Sequence, residues 1–340
     1  IVPQNINVGL GYRFKSIHWD WLDKDHTENH TSAFLQDTFE FGSALRATAS
    51  LRVDKHPLLT DPVLSPRGAL VYRASEFSAI RATIASAFRS PAFLESYLAN
   101  RVPTPLRGVT ALGIGDETIS PEEIVSYELG YTHQGSDTFA LEANVYMNQV
   151  SQLIRFSAIS SYSITDFPGY DEGVNAFPVG FLQFTNEDVT YRQLGGEFGL
   201  RLFPITGLDL YVNYALHDTS PEGDTSPLGD RIEDQRTSAH KLNAGIQYRA
   251  RFGLDLAIDA HFVSDQIWVQ EVASAESGSD TAIFEVPAYT LLNARLGYRL
   301  ADDHIELGLT GSNLLGRPIR QHPFGETIPR RLHGSVTVRF

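Results

Sequence analysis

The sequence predicts an all-β chain, an antiparallel transmembrane β-barrel, and three observations carry the prediction. The first is alternation. Leu332, Val336, Val338 and Phe340 fall on one face of an extended closing strand, and His333, Ser335, Thr337 and Arg339 fall on the other. The second is repetition, because the same rhythm recurs in strand after strand nearly back to the first residue. A wall that turns apolar side chains to lipid and polar ones to a wet interior needs that rhythm, and closing it removes edges that hydrocarbon does not tolerate. The third is the sorting of connections, which alternate between short and long. Outer-membrane barrels have this asymmetry, whereas a soluble sandwich has no reason to collect its long loops at one end.

In chain order, the first strand covers about residues 6–14, with Ile6, Val8, Leu10, Tyr12 and Phe14 outward and Asn7, Gly9, Gly11, Arg13 and Lys15 inward. An acidic and aromatic segment, 20–30, precedes a second strand in which Ala33, Leu35, Phe39 and Phe41 face out. Gly42-Ser43 then turns tightly into Leu45, Ala47, Ala49, Leu51 and Val53. A proline-bearing segment, 55–66, leads to a short strand around Leu70 and Tyr72, and 74–77 is tight again. The fifth strand, 80–89, is followed by the longest excursion, 91–121. Val125, Tyr127, Leu129 and Tyr131 then alternate with Ser126, Glu128, Gly130 and Thr132; after a turn at 134–137, Phe139, Leu141, Ala143, Val145 and Met147 repeat the pattern.

A long segment, 157–180, precedes a strand that sets Leu194, Phe198, Leu200 and Leu202 against Gln193, Glu197 and Arg201. A short link at 204–207 and a strand at 208–216 lead into a long acidic segment, 217–239. Leu242, Ala244, Ile246 and Tyr248 are answered, across a link at Phe252-Gly253, by Leu254, Leu256, Ile258, Ala260 and Phe262. Beyond the long segment 264–287 come Leu292, Ala294, Leu296 and Tyr298, a turn at 301–303, Ile305, Leu307 and Leu309, and a last long segment, 313–331. About fourteen strands result, each near the roughly 9–11 residues that a tilted strand needs to cross a bilayer. Long connections on one side and tight ones on the other are expected to put the long loops outside the cell and both termini in the periplasm.

Composition agrees and excludes other classes. Only 42% of the 340 residues are hydrophobic, and no run approaches the roughly 20 apolar residues of a membrane-spanning helix. A net charge of −14, from 41 acidic against 27 basic side chains, argues against a nucleic-acid partner held through its phosphates. The absence of cysteine removes disulfides, thiolate metal sites and cysteine catalysis. Ile1-Val2-Pro3-Gln4 has neither the charged nor the apolar region of an export signal, so any such signal is expected outside this sequence.

Chemistry-bearing residues fall into four groups. Arg46, Arg52, Arg81, Arg89, Glu128, Glu142, Glu197, Arg201, Arg249, Arg295 and Arg299 are all at inward positions, as are Asp255, Asp259 and Glu306. They line a substrate path or hold a plug through charge-assisted hydrogen bonds, or else form a solvated wall of cross-strand ion pairs. Tyr162, Phe167, Tyr170, Phe177 and Phe181 crowd one long segment and either stack on a flat ligand at the surface or pack on one another. Asp20, Asp23, Asp25, His26, Glu28 and His30 lack any HExxH or EF-hand spacing and read as a solvated acidic loop; no metal or other cofactor is expected. The same holds for Asp218, Glu222, Asp224, Asp230, Glu233 and Asp234, which also suit divalent bridging to lipopolysaccharide. Trp19, Trp21, Phe39, Tyr131, Tyr214, Tyr248, Trp268 and Tyr298 read as an interfacial girdle. Catalysis has no support, since no G-x-S-x-G elbow, P-loop or dinucleotide fingerprint occurs.

Several segments resemble the C-terminal part of a TonB-dependent outer-membrane receptor, in that family's own order. They are Ser65-Pro66-Arg67-Gly68, Ala87-Phe88-Arg89-Ser90-Pro91, Ile119-Ser120-Pro121-Glu122-Glu123 running to Tyr127-Glu128-Leu129-Gly130-Tyr131, and Leu194-Gly195-Gly196-Glu197. The ending, Asn313-Leu314-Leu315-Gly316, His322-Pro323, Pro329-Arg330-Arg331 and Phe340, is similar too, with Arg330 where the family commonly has glycine. The resemblance implies a barrel of about 22 strands plugged by an N-terminal domain. Residues 1–340 would supply about its last fourteen strands; the plug and the remaining strands would come from the same precursor or from a separate chain. It also implies TonB as partner through the plug, lipid bilayer and lipopolysaccharide as surroundings, and surface or periplasmic proteins as further contacts. Uptake of a scarce nutrient, most often a ferric siderophore, is the implied function. A self-closed passive channel and a structural subunit of a larger outer-membrane complex are the alternatives.

Overall fold

The computed structural model describes residues 2–103, 107–135, 137–157, 160–162, 168–173, 175–222, 236–274, 278–300 and 304–340. Fourteen strands build one antiparallel sheet in which neighbours in sequence are neighbours in space. They are β1 (Gln4–Ile17), β2 (His26–Phe41), β3 (Leu45–Lys55), β4 (Val63–Arg73), β5 (Ser78–Arg89), β6 (Glu122–His133) and β7 (Phe139–Ser151). The second half comprises β8 (Thr190–Ile205), β9 (Leu208–Glu222), β10 (His240–Arg249), β11 (Leu254–Val263), β12 (Tyr289–Leu300), β13 (Ile305–Ser312) and β14 (Arg331–Val338). The sheet is an open arc of barrel wall, and β1 and β14 are its two edges.

The register preserves side-chain parity around the arc. Arg52 opposes Phe34 and Ser65, Arg81 opposes Val71 and Gly130, Glu197 opposes Asn144 and Ala215, and Arg295 opposes Ala257 and Thr310. One face therefore gathers the charged and amide side chains, with a few apolar ones such as Phe34 and Val71 among them. The other carries apolar side chains in rows such as Leu256, Leu296 and Leu309, adjacent across three strands. Among the described residues most buried apolar side chains, Leu22, Tyr97, Leu98, Ala111 and Ile119 included, lie in the connections, and Tyr191 and Val263 sit at the long-loop ends of β8 and β11. That inverts a soluble protein, because lipid and not a second sheet covers the apolar face.

Short and long connections segregate to opposite ends, as the sequence predicts. At the short end Gly207 (φ 86°) and Gly253 (φ 94°) close their turns in the left-handed region, and a Cβ on either would meet the carbonyl oxygen of Arg249 or Arg299 within 2.5 Å. Strands rise further at the other end than expected. β1 extends the 6–14 assignment to Gln4–Ile17, and β2 begins at His26, inside the segment read as an acidic loop. β4 begins at Val63 despite Pro66. Pro66 opposes Leu51 on β3, whereas pairing with β5 starts only at Arg67, so the missing N–H falls beyond the region bonded on both sides.

The long excursions also hold structure of their own. A short helix, α1 (Phe93–Tyr97), leads into Ala99–Pro103 and Val109–Ile114. These lie beside Phe177–Asn186 and Ile154–Phe156 in a second sheet, with Ser160–Ser161 paired to Phe177–Asn186. Gln266–Ser274 and Gly278–Val286 form a separate hairpin. Trp268 lies on that hairpin, edge-on to His322 at 4.4 Å, and Trp19 and Trp21 stack on each other at 5.1 Å in the β1–β2 connection. These three tryptophans thus belong to connections, not to rows of the wall. Phe167, Asp224, Asp230, Glu233, Asp234 and the turn at 301–303 lie outside the described residues.

Candidate functional site

Period-two geometry brings all eleven inward candidates to one face, where all but Glu197 pair between neighbouring strands, within one strand or, for Arg89, also with α1. Arg46 bonds Glu40 at 2.8 Å, Arg52 bonds Asp54 at 2.7 Å, and Arg201 lies 2.9 Å from Asp209. Arg249 and Arg299 share Asp255 at 2.9 and 3.1 Å, while Arg295 and Arg339 share Glu306 at 2.8 and 2.9 Å. Arg81 stands 3.6 Å from Glu128, and Glu142 accepts from the Asn144 amide at 3.1 Å. These pairs are largely exposed, so each adds about 1 kcal/mol or less to stability. Their contribution is to neutralise the wall locally.

Arg89 does more. It bonds Glu122 on β6 through two contacts of 2.5 and 2.6 Å and Glu95 in α1 through two of 2.9 Å. Glu95 in turn accepts the Ala92 N–H at 2.7 Å, which fixes the first turn of α1. One guanidinium fork thereby ties the wall to the layer of connections.

Two cavities on the outline differ in character. The larger, about 580 Å³, is lined by residues 58–64 with Ser86, Phe88, Pro121 and Glu123, whose parity puts it on the outward side, away from the polar face. The other, about 470 Å³, opens on the polar face among Arg81, Ser126, Glu128, Tyr146, Gln193, Glu197 and His217. It unites Arg81, Glu128 and Glu197 from the sequence-derived set. Tyr146 and His217 are additions to that set. Their side chains meet at 3.0 Å, and His217 also meets Thr219 at 2.8 Å. Gly195 opposite Tyr146 is the available sequence signal, because a Cβ there would strike the tyrosine ring at 2.2 Å.

The surface aromatics pair with one another. Tyr162 and Phe181 have ring centres 5.3 Å apart, and Tyr170 and Phe177 4.7 Å. Tyr170 and Phe177 nevertheless keep 46% of their surface each, a tilted aromatic pair open at the surface. Arg101 bonds Asp171 and joins this pair to the neighbouring loop strand. At the long-loop end of the polar face, Glu28, His30 and His56 also converge, where the sequence reading has a solvated acidic segment and no metal ligand. Glu28 is 1% exposed because it sits in β2 and not in a loop.

Comparison with known proteins follows this geometry. The family model described as TonB dependent receptor-like, beta-barrel, matches residues 4–314. Among solved structures, the siderophore receptor PirA from Acinetobacter baumannii superposes with a TM-score of 0.72 at 16% identity, over 100% of this chain and 52% of that one. The ferric enterobactin receptor PfeA from Pseudomonas aeruginosa gives 0.72 at 16% identity, over 99% and 52%. The FrpB iron transporter from Neisseria meningitidis gives 0.66 at 13%, over 98% and 52%. At such identities the likeness is one of fold, and the chain spans about half the length of these receptors. No curated protein sequence matches. The family consists of receptors and transporters of the outer membrane and not of enzymes. With its parity, its sorted connections and a match to the family's β-barrel over residues 4–314, the chain belongs to the TonB-dependent receptor family.

Proposed function

We propose that this chain is the larger part of the barrel wall of a receptor that takes up a ferric siderophore across the outer membrane. The observation that carries the reading is the inward face of the fourteen-stranded sheet, rich in ion pairs between neighbouring strands and backed by an apolar face. A water-filled passage requires such a wall, and a family built around energised uptake supplies its use. In this reading a plug domain and the remaining strands, from the same precursor or a separate chain, fill the barrel, and TonB acts through the plug. The long connections face the medium, among lipopolysaccharide headgroups, and both ends of the chain face the periplasm. Arg46, Arg52, Arg81, Arg89, Glu128, Glu142, Glu197, Arg201, Arg249, Arg295 and Arg299 then line the path or grip the plug. Tyr162, Tyr170, Phe177 and Phe181 form the outer surface met first by a flat, catecholate-like ligand.

Uptake of radioactive iron by iron-starved cells tests this reading. Ferric catecholate and ferric hydroxamate complexes are offered to cells with and without the gene that encodes the chain. The expected result is uptake that needs both the gene and TonB. Uptake indifferent to TonB, together with steady ion conductance of the purified protein in planar bilayers, would overturn it in favour of a passive channel.

A further inference from the structure

Three ligating side chains from neighbouring strands meet at the long-loop end of the polar face. Glu28 and His30 are two residues apart on β2 and so share a face, and His56 continues the inward parity of Arg52 and Asp54 one residue beyond β3. Their ligand atoms all lie within 4.8 Å of one another. Glu28 Oε2 is the hub, 2.7 Å from His30 Nε2, 3.7 Å from His56 Nε2 and 3.6 Å from Lys15 Nζ. The side chains of Glu28 and His56 are 1% and 2% exposed and that of His30 is 17% exposed. Glu28 Oε1 and His56 Nε2 are buried with no hydrogen-bond partner. Orphaned polar atoms at this depth are costly, and a native fold that keeps two of them side by side calls for a reason.

We propose that Glu28, His30 and His56 bind one divalent cation of the Zn²⁺ class through a carboxylate oxygen and two imidazole nitrogens. Two nitrogens and one oxygen suit a borderline-soft ion, whereas Ca²⁺ and Mg²⁺ take oxygen shells. Bonds of about 2.0–2.2 Å in a tetrahedral site set ligand atoms roughly 3.4 Å apart. The 3.7 Å separation of Glu28 and His56 is near that value, and the 2.7 Å contact of Glu28 with His30 opens by about 0.7 Å. Three protein ligands leave a fourth position for water or another donor. Burial holds the His56 imidazole well below its ordinary value, at about 4, against the opposing pull of Glu28, so the ring is neutral at physiological pH.

Two neighbours shape the site. His56 Nδ1 accepts the Leu58 N–H at 3.2 Å, so the neutral ring carries its proton on Nε2, towards Glu28. A metal taking Nε2 moves that proton to Nδ1, which breaks the Leu58 contact and shifts the turn after β3. Lys15 lies directly across from Glu28 on β1 and competes with a cation for the same carboxylate. A side chain that is 31% exposed can swing aside.

The test uses the full receptor purified in detergent, stripped with a chelator and titrated with Zn²⁺ against a chromophoric competitor. The expected result is one Zn²⁺ whose affinity falls about 10-fold or more in both Glu28→Gln and His56→Asn. Lys15→Met tightens it, and Zn²⁺ speeds hydrogen exchange of the Leu58 amide in the unaltered protein. Heat-shifted mobility on gels verifies that each variant is folded; if one is not, the Lys15→Met and Leu58 readouts decide. Zn²⁺ binding that is equal in all variants overturns the proposal, as does a Lys15→Met protein with reduced stability and unaltered Zn²⁺ affinity, which would make the cluster a structural ion pair.

Discussion

Arg89 shows what a single residue adds to a wall of otherwise modest ion pairs. Its guanidinium holds Glu122 in the sheet and Glu95 above it at once, and Glu95 is 14% exposed. Arg89→Ala leaves both carboxylates without their shared partner. Bonds to charged groups of this kind contribute about 1.5–3 kcal/mol when sheltered and less when half-exposed, so a local loss on the order of 1–2 kcal/mol is expected. The whole barrel survives, because none of its ladders depends on the residue. The loss belongs to α1, where Ser96 N–H bonds Ala92 and Leu98 N–H bonds Leu94. Hydrogen exchange of Ser96 and Leu98 should quicken about tenfold while β5 and β6 keep their protection. Unchanged exchange would mean that the fork orders nothing. Parity made the inward position of Arg89 legible in the sequence, but not its partner Glu95, which sits in a segment with no periodic signal. The Glu28 cluster was illegible for a related reason. Its third member stands 28 residues beyond Glu28, and only the β2–β3 register brings His56 to it.

At the scale of the strand, alternation alone was enough to place both faces. Each outward row assigned from the sequence, such as Val125, Tyr127, Leu129 and Tyr131, keeps its parity in the register. Strand ends were less legible. Upper segments of β1, β2, β8 and β9 rise past the membrane-spanning band, where no lipid demands apolar side chains and the period-two signal fades. Short strands in the connections carry no alternation long enough to read. The two-faced wall makes a sharp energetic prediction. Leu296 lies near the middle of β12 between Leu256 and Leu309, so Leu296→Arg puts a charge in hydrocarbon at a cost of about 2–4 kcal/mol. Gln247→Arg on β10 faces inward beside Asp209 and should change stability by no more than about 0.5 kcal/mol. Urea or thermal unfolding followed by gel mobility measures both. Equal effects would mean that the apolar face is not turned to lipid.

For the molecule as a whole, the two open edges decide what the chain requires. β1 pairs only with β2, and β14 only with β13, among the described residues. Their outward side chains lack flanking neighbours, and Leu10 and Leu332 are 88% and 69% exposed against 43% for Leu51 inside the arc. Each edge also presents a row of backbone N–H and C=O groups, and hydrocarbon penalises every unsatisfied one by several kcal/mol. No membrane protein carries that load along two full strands. Either β1 and β14 close on each other, or further strands stand between them; receptors of this fold about twice as long as the chain favour the second arrangement. Cysteines at Val8 and Val336 separate the two, since both lie mid-strand and neither competes with a native cysteine. In outer membranes treated with a mild oxidant, the pair should stay unlinked, and the folded species should be heavier than the 37.7 kDa of this chain. Linkage of the two positions in a lone species of that mass would show a barrel closed on its own fourteen strands. The wall would then be narrower than its relatives', and uptake through a plugged passage would give way to a small open channel.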